Sequence, residues 1–192
     1  MKKIDEYFDN TSKIIKKLKI EKKKIIKIKN KILQADKKNQ KIFVIGNGGS
    51  AADSDHFAGE LICTFHKKNR RPFDVYSLNQ NNVALTAWSN DFSYETYLER
   101  CLKAYSKKND ILICLTTSGG NIKKSQSKNL IKAVNYAKKN KNLVISLTGR
   151  TGGYVKNKSD ININIESNVT SYIQEAHMSI LHCICMLLEN EK

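Results

Sequence analysis

His56 and Glu60 stand four residues apart in a segment with helical patterning, so both side chains leave one face of a helix. An imidazole beside a carboxylate can exchange protons near neutral pH or share a metal ion. It can equally be a solvated surface pair, with Asp53 and Asp55 close by. A second group lies near the C-terminus: Gln174, Glu175, His177 and His182. Gln174 and His182 are eight positions apart, a little over two helical turns, and could approach one metal ion from two levels of a helix. His177 reads as a helix-surface histidine. His182, between Leu181 and Cys183, reads as a core histidine unless it ligates.

Two short segments offer anion-binding chemistry. Gly46-Asn47-Gly48-Gly49-Ser50 has three glycines in four positions, allowing positive φ and close backbone approach, and free amides there would attract an oxyanion. It lacks the GxGxxG spacing of a dinucleotide site and the GK[ST] of a P-loop, and an ordinary tight turn is the plain alternative. Thr116-Thr117-Ser118-Gly119 places three hydroxyls beside a glycine, a neutral cradle suited to a phosphate that must come and go, or simply a Ser/Thr turn with a helix cap.

The elements that must position these groups alternate. Residues 1–40 read as one or two helices with stripes of Ile4, Tyr7, Phe8, Ile14, Ile15 and Leu18, then Ile25, Ile26, Ile28, Ile32 and Leu33. Such stripes must pack on the body of the protein or on another copy. Strands are expected at Lys41–Ile45, Phe73–Leu78, Asp110–Leu115, Asn142–Thr148 and Asp160–Ile165. Helices are expected from the glycine turn through about Phe65, near Asn81–Trp88 and Ser93–Tyr105, over Ser127–Lys139, and over Thr170–Glu189. The stretch 121–129 reads as an exposed loop or an extended helix start. Alternating strands and helices predict an α/β protein: a five-stranded parallel sheet in a three-layer α/β/α sandwich, preceded by N-terminal helices. Both polar turns then fall at strand carboxyl ends, where such sheets bind ligands.

Composition narrows the function. The 192 residues are 40% hydrophobic and 27% charged, which excludes a disordered chain, and no apolar run spans a bilayer. The start, MKKIDEYFDN, shows no secretory signal. Five cysteines with no CxxC pair suit a reducing compartment, and a cytoplasmic location is expected. The net charge of +16 raises the question of nucleic acid. Residues 1–40 hold fourteen lysines against five acidic residues, so nine of those charges belong to amphipathic helices. Arginine, the usual base and phosphate reader, occurs only at 70, 71, 100 and 150. The sequence therefore argues against nucleic acid as the partner.

Several segments together resemble one known family. GNGGSAADSDHFAGEL (Gly46–Leu61), the TTSG turn, NDFSYE (Asn90–Glu95), SLTGRTGG (Ser146–Gly153) and IQEAHMSILH (Ile173–His182) are similar to phosphoheptose isomerases of the sugar isomerase (SIS) superfamily. The resemblance implies a flavodoxin-like sandwich, with 1–40 as a helical extension for oligomerisation and 41–192 as the SIS domain. It implies a cytoplasmic homotetramer with active sites at subunit interfaces. The implied reaction converts D-sedoheptulose 7-phosphate to D-glycero-D-manno-heptose 7-phosphate, for lipopolysaccharide or capsule heptose. One zinc ion per subunit is implied at His56, Glu60, Gln174 and His182. Substrate would be lined by Asn47, Gly48, Gly49, Glu60, Asn90, Asp91, Thr116, Thr117, Ser118 and Gln174, with Glu60 and His182 as the acid/base pair. The family's further phosphate-binding serine is displaced here by about six extra residues; Ser127 is the best match and Ser125 the second. Tyr172 and Ser171 stand where the family usually has Arg and an acidic residue. The alternative within the superfamily is a non-enzymatic tetramer that binds a replication-initiation protein; the joint presence of His56, Glu60, Gln174 and His182 argues against it.

Overall fold

The computed structural model describes residues 1–191; Lys192, the last residue of the expected 41–192 domain, lies outside them. Two N-terminal helices, α1 (Lys2–Lys17) and α2 (Lys22–Lys37), are joined by a 3-10 turn at Leu18–Glu21. Then follow β1 (Ile42–Ile45), α3 (Gly49–Ile62), β2 (Val75–Ser77), α4 (Asn82–Asp91) and α5 (Tyr97–Tyr105). The second half comprises β3 (Ile111–Thr116), α6 (Lys128–Lys139), β4 (Leu143–Gly149), α7 (Gly153–Lys158), β5 (Ile161–Ile165) and α8 (Thr170–Glu189).

All five strands are parallel, in the order β2-β1-β3-β4-β5. Chain order reverses between β1 and β3, so the turns that leave those two strands flank the topological switch point, where open α/β sheets bind ligands. The central strands are uninterrupted apolar runs because both their faces are covered. Ile42, Val44, Ile111, Ile113, Leu115, Ile145 and Leu147 face a core shared with α2, α3 and α8. Phe43, Ile45, Leu112, Cys114 and Val144 face the opposite core, built with α5, α6 and α7. In β5 only one face is apolar: Ile161, Ile163 and Ile165 are buried, while Asn162 and Asn164 bond to Ser146, Thr148 and Arg150.

The N-terminal helices differ from each other. α2 buries Ile25, Ile28, Ile32 and Ala35, whereas α1 buries no residue completely. α1 leans on α8 through Tyr7 against Tyr172, with ring centroids 5.2 Å apart, and leaves Ile4 and Phe8 exposed. Three expectations from the sequence need correction. The segment 93–105 is not one helix but a 3-10 turn at Tyr94–Thr96 followed by α5. The helix after the glycine turn ends at Ile62, short of Phe65, because Arg70 folds back and its guanidinium donates to the carbonyls of Glu60, Leu61 and Cys63. α7 was not anticipated. All five cysteines are free, and no helix among the described residues is long and apolar enough to cross a membrane.

Candidate active site

The turn after β1 is held from three sides. Asn79 exchanges hydrogen bonds with the backbone of Gly46. Asn47 pairs with Asn129 of α6 and accepts from the Tyr94 hydroxyl. At Gly49 a β-carbon would fall 2.1 Å from Gln174 Nε2, so the glycine is what lets the α8 amide rest on the turn. The Gln174 amide therefore lies against the start of α3.

The turn after β3 is equally compact. Thr116 is buried and its hydroxyl accepts from Gly119 N–H, so it shapes the turn from inside. Ser118 accepts from Gly120 N–H, and Thr117 and Ser118 are half-buried. Gly119 has φ +71°, and a β-carbon there would meet the Gly152 carbonyl at 1.9 Å, which binds this turn to the one after β4. Ser127 takes the N-cap position of α6 with φ +54°, but its hydroxyl makes no capping bond. The extra residues before it form a small hairpin in which Asn121 and Gln126 exchange both backbone hydrogen bonds. Asn90 and Asp91, at the exposed end of α4, are bonded to each other at 2.8 Å.

His56, Glu60 and His182 come together from α3 and α8. His56 Nε2 is 3.1 Å from Glu60 Oε1 and 3.5 Å from His182 Nε2. The His182 ring also packs on Phe65, with centroids 5.5 Å apart. Phe65 is placed by Glu189, whose carboxylate accepts the N–H groups of Phe65, His66 and Lys67. Burial alone would raise the Glu189 pKa; those three donors together hold it below the usual carboxylate value. One turn before His56, Asp53 has a buried carboxylate oxygen without a hydrogen-bond partner. Burial pushes its pKa up to about 6, with His56 opposing the rise and Glu175 adding to it.

The sequence-based set is thus divided. His56, Glu60 and His182 converge, while the Gln174 amide rests against Gly49, its backbone about 12 Å back along α8 from that of His182 at 1.5 Å per residue. By the same rise, His56 lies about 10 Å and Glu60 about 16 Å along α3 from Gly49. His182 is half-buried and faces α3 rather than the core. His177, read from sequence as a surface residue, is instead fully buried. It falls on the buried stripe of α8 with Ile173, Ile180 and Leu181, at spacings of four, three and four. Its Nε2–H donates to the Thr148 carbonyl at 3.2 Å, and burial pushes its pKa down to about 4. Asn129 and Tyr94 were missed. A polar residue in register with buried Ala133 and Ala137 on an otherwise apolar helix face was the available signal for Asn129.

Among the described residues, no three His, Cys, Asp or Glu side chains form a ready-made metal-binding group. His56 instead bridges the carboxylate and the second imidazole. A cavity of about 530 Å³, lined in part by Lys31, Lys38, Lys138 and Lys141, opens at the amino ends of β3 and β4, away from these groups.

Residues 6–149 match the SIS domain family, and that match, with the strand order and the turns at the switch point, defines the class of protein. A probable phosphoheptose isomerase of Thermoplasma acidophilum is 39% identical over 168 residues, covering 88% of each chain. The phosphoheptose isomerase of Leptospira biflexa is 42% identical, covering 86% of this chain and 83% of the relative. The solved phosphoheptose isomerase of Neisseria gonorrhoeae superposes with a TM-score of 0.89 at 28% identity, over 98% of both chains. The chain belongs to the phosphoheptose isomerase family.

Proposed function

We propose that this protein is an aldose–ketose isomerase that converts D-sedoheptulose 7-phosphate to D-glycero-D-manno-heptose 7-phosphate. The observation that carries the reading is the meeting of His56, Glu60 and His182, two imidazoles and a carboxylate drawn from separate helices. The three relatives named above carry the phosphoheptose isomerase name and support the substrate, and nothing favours the non-catalytic alternative.

The reaction needs one proton moved from C1 to C2 and another from O1 to O2. In the open-chain ketose, one of Glu60 and His182 removes the C1 proton while the other protonates O2, giving an enediol. Return of a proton to C2 and loss of the O1 proton give the aldose, and the pair ends as it began. Thr117, Ser118 and Ser127 offer hydroxyls to the phosphate, with Thr116 holding their turn in shape. Asn47, Gly48, Gly49 and Gln174 line the turn after β1, where a sugar chain can be oriented; Asn90 and Asp91 are assigned to substrate by the family pattern.

Two imidazoles and a carboxylate are donor types that suit zinc, though among the described residues they do not stand as a ready-made metal-binding group. His56, Glu60 and His182 would hold it, with Gln174 as the fourth residue of the set. When bound it would polarise sugar oxygens during proton transfer.

We take the assembly to be a homotetramer whose sites lie between copies. The exposed Ile4 and Phe8 of α1 offer an apolar surface for such assembly. We place the enzyme in the cytoplasm, at the first step toward heptose for lipopolysaccharide or capsule. NMR of purified protein with sedoheptulose 7-phosphate should show an aldose C1 resonance growing in; no aldose at equilibrium would refute the reading. Metal content should fall with His56→Ala, and an unchanged stoichiometry would remove the zinc assignment.

A further inference from the structure

The side-chain amide of Asn47 is almost fully committed inside the protein. Its Oδ1 accepts from Asn129 Nδ2 at 2.7 Å and from the Tyr94 hydroxyl at 2.8 Å, filling both lone pairs. One of its two N–H bonds goes back to Asn129 Oδ1 at 2.9 Å. That leaves one N–H. Asn47 is half-buried between Gly46 and Gly48, so this last donor is at the turn itself. Asn129 is 2% exposed, held by the first turn of α6 directly after the phosphate cradle. Tyr94 belongs to the 3-10 turn before α5, and the next residue, Glu95, is paired with Lys128 and Lys132 of α6 at 3.2 and 3.1 Å. Two elements from the opposite layer of the sandwich therefore converge on one amide.

We infer that Asn129 and Tyr94 are positioning residues that fix Asn47 as a single-hydrogen donor toward an acceptor oxygen of the sugar. The inference deepens the isomerase reading and rests on it for the identity of the ligand. A free asparagine can offer either its oxygen or its nitrogen, and the two are of nearly equal size. Rotation about the terminal bond would break both bonds to Asn129 and reverse the one to Tyr94, whose hydroxyl donates in the observed orientation. Asn47 then offers only N–H, so a ligand oxygen meets it as an acceptor. The cost of fixing that choice is met in folding rather than on binding, which favours affinity. The pair also ties the turn after β1 to the start of α6, so the sugar-facing turn and the phosphate-facing turn keep their spacing.

Steady-state kinetics of Tyr94→Phe, Asn129→Ala, Asn47→Ala and the two double variants test this. Tyr94→Phe removes one hydroxyl from an exposed side chain and should raise KM about fivefold, the weight of one neutral hydrogen bond, with a smaller effect on kcat. Asn129→Ala should raise KM further. In the Asn47→Ala background both effects should vanish, because the positioned group is gone. KM changes that multiply in the double variants, or a KM within twofold of wild type in both single variants, would overturn the inference. Should Asn129→Ala fail to fold, the Tyr94–Asn47 cycle alone decides. A second readout does not depend on turnover. The Asn47 amide proton bonded to Asn129 Oδ1 should exchange slowly with solvent in the wild type and markedly faster in Tyr94→Phe; equal exchange rates would sink the inference even in an active enzyme. A wild type without isomerase activity but with the protected amide would instead refute the proposed reaction and leave the positioning intact.

Discussion

The two outer layers of the sandwich divide the chemistry between them. The layer of α2, α3 and α8 carries the groups that can gain or lose a proton: His56, Glu60 and His182 in contact, Asp53 raised to about 6, His177 lowered to about 4. The layer of α5, α6 and α7 meets the ligand turns with neutral hydrogen-bonding groups instead: Asn129, Tyr94 and the hydroxyls at 116–118 and 127. Its charged side chains include Lys128 and Lys132, which pair with Glu95 at 3.2 and 3.1 Å. Burial pushes the Cys114 thiol up to about 12 and also raises Cys101 and Tyr97. The contrast teaches that an isomerase of a phosphorylated sugar needs mobile protons at one end of the substrate and fixed, uncharged recognition at the other. Keeping them on separate layers lets each environment be set independently.

The comparison is broken most severely by removing the proton chemistry. Glu60→Gln and His182→Gln should each lower kcat/KM by about a thousandfold or more, with melting temperatures close to wild type. Activity within tenfold of wild type in either variant would show that protons move elsewhere. The next effect is on stability. His177 is buried neutral, so its native pKa of about 4 lies below the unfolded value of 6.5, and the native state resists the proton that the unfolded chain accepts. The associated stability is complete above the unfolded value and is lost as pH falls from there toward about 4. Urea unfolding at pH 7.5 and pH 4.5 should therefore differ by about 2–3 kcal/mol more in the wild type than in His177→Gln. Identical pH dependence in the two proteins would mean that His177 is not held neutral.

A smaller effect sharpens the recognition side. Thr117→Ala and Ser118→Ala should each raise KM about tenfold, the weight of a hydrogen bond to a charged group, while kcat changes less. Equal losses in kcat and kcat/KM would place these hydroxyls at the reacting carbons instead. The smallest effect concerns Asp53. Its pKa is raised, so stability falls as pH rises from the ordinary value of 3.8 through about 6. Asp53→Asn should thus stabilise the protein at pH 7.5 by about 1 kcal/mol, after discounting for its partial exposure to solvent. A destabilised variant would show that its charge is used.

The sequence made much of the sheet legible. β1 and β3 read as strands because β-branched and aliphatic runs of four to six residues stop at glycine- or hydroxyl-rich turns, and β5 because Asp160–Ile165 alternates strictly. The site was legible in part. Spacing of four put His56 and Glu60 on one face, which local geometry guarantees. The approach of His182 depends on how α8 packs against α3, and no local pattern encodes that. His177 was misread even though Ile173, Ile180 and Leu181 surround it at helical spacing, because a histidine on an apolar stripe was weighed by residue type rather than by register. Asn129 was invisible as a functional residue because its partner, Asn47, is 82 positions away.

The extra segment before α6 closes its own ladder: Asn121 and Gln126 exchange both backbone bonds, and Asn121 Oδ1 accepts from Lys124 N–H. The loop carries its own hydrogen bonds, with left-handed backbone at Gly120, Ser125 and Ser127. Lengthening it is entropically inexpensive, about 0.6 kcal/mol for each doubling, so it offers a natural grafting point. A reporter dye at exposed Ile122 would sit on this hairpin, four residues from Ser118, and leave the hydroxyls of the turn itself unaltered.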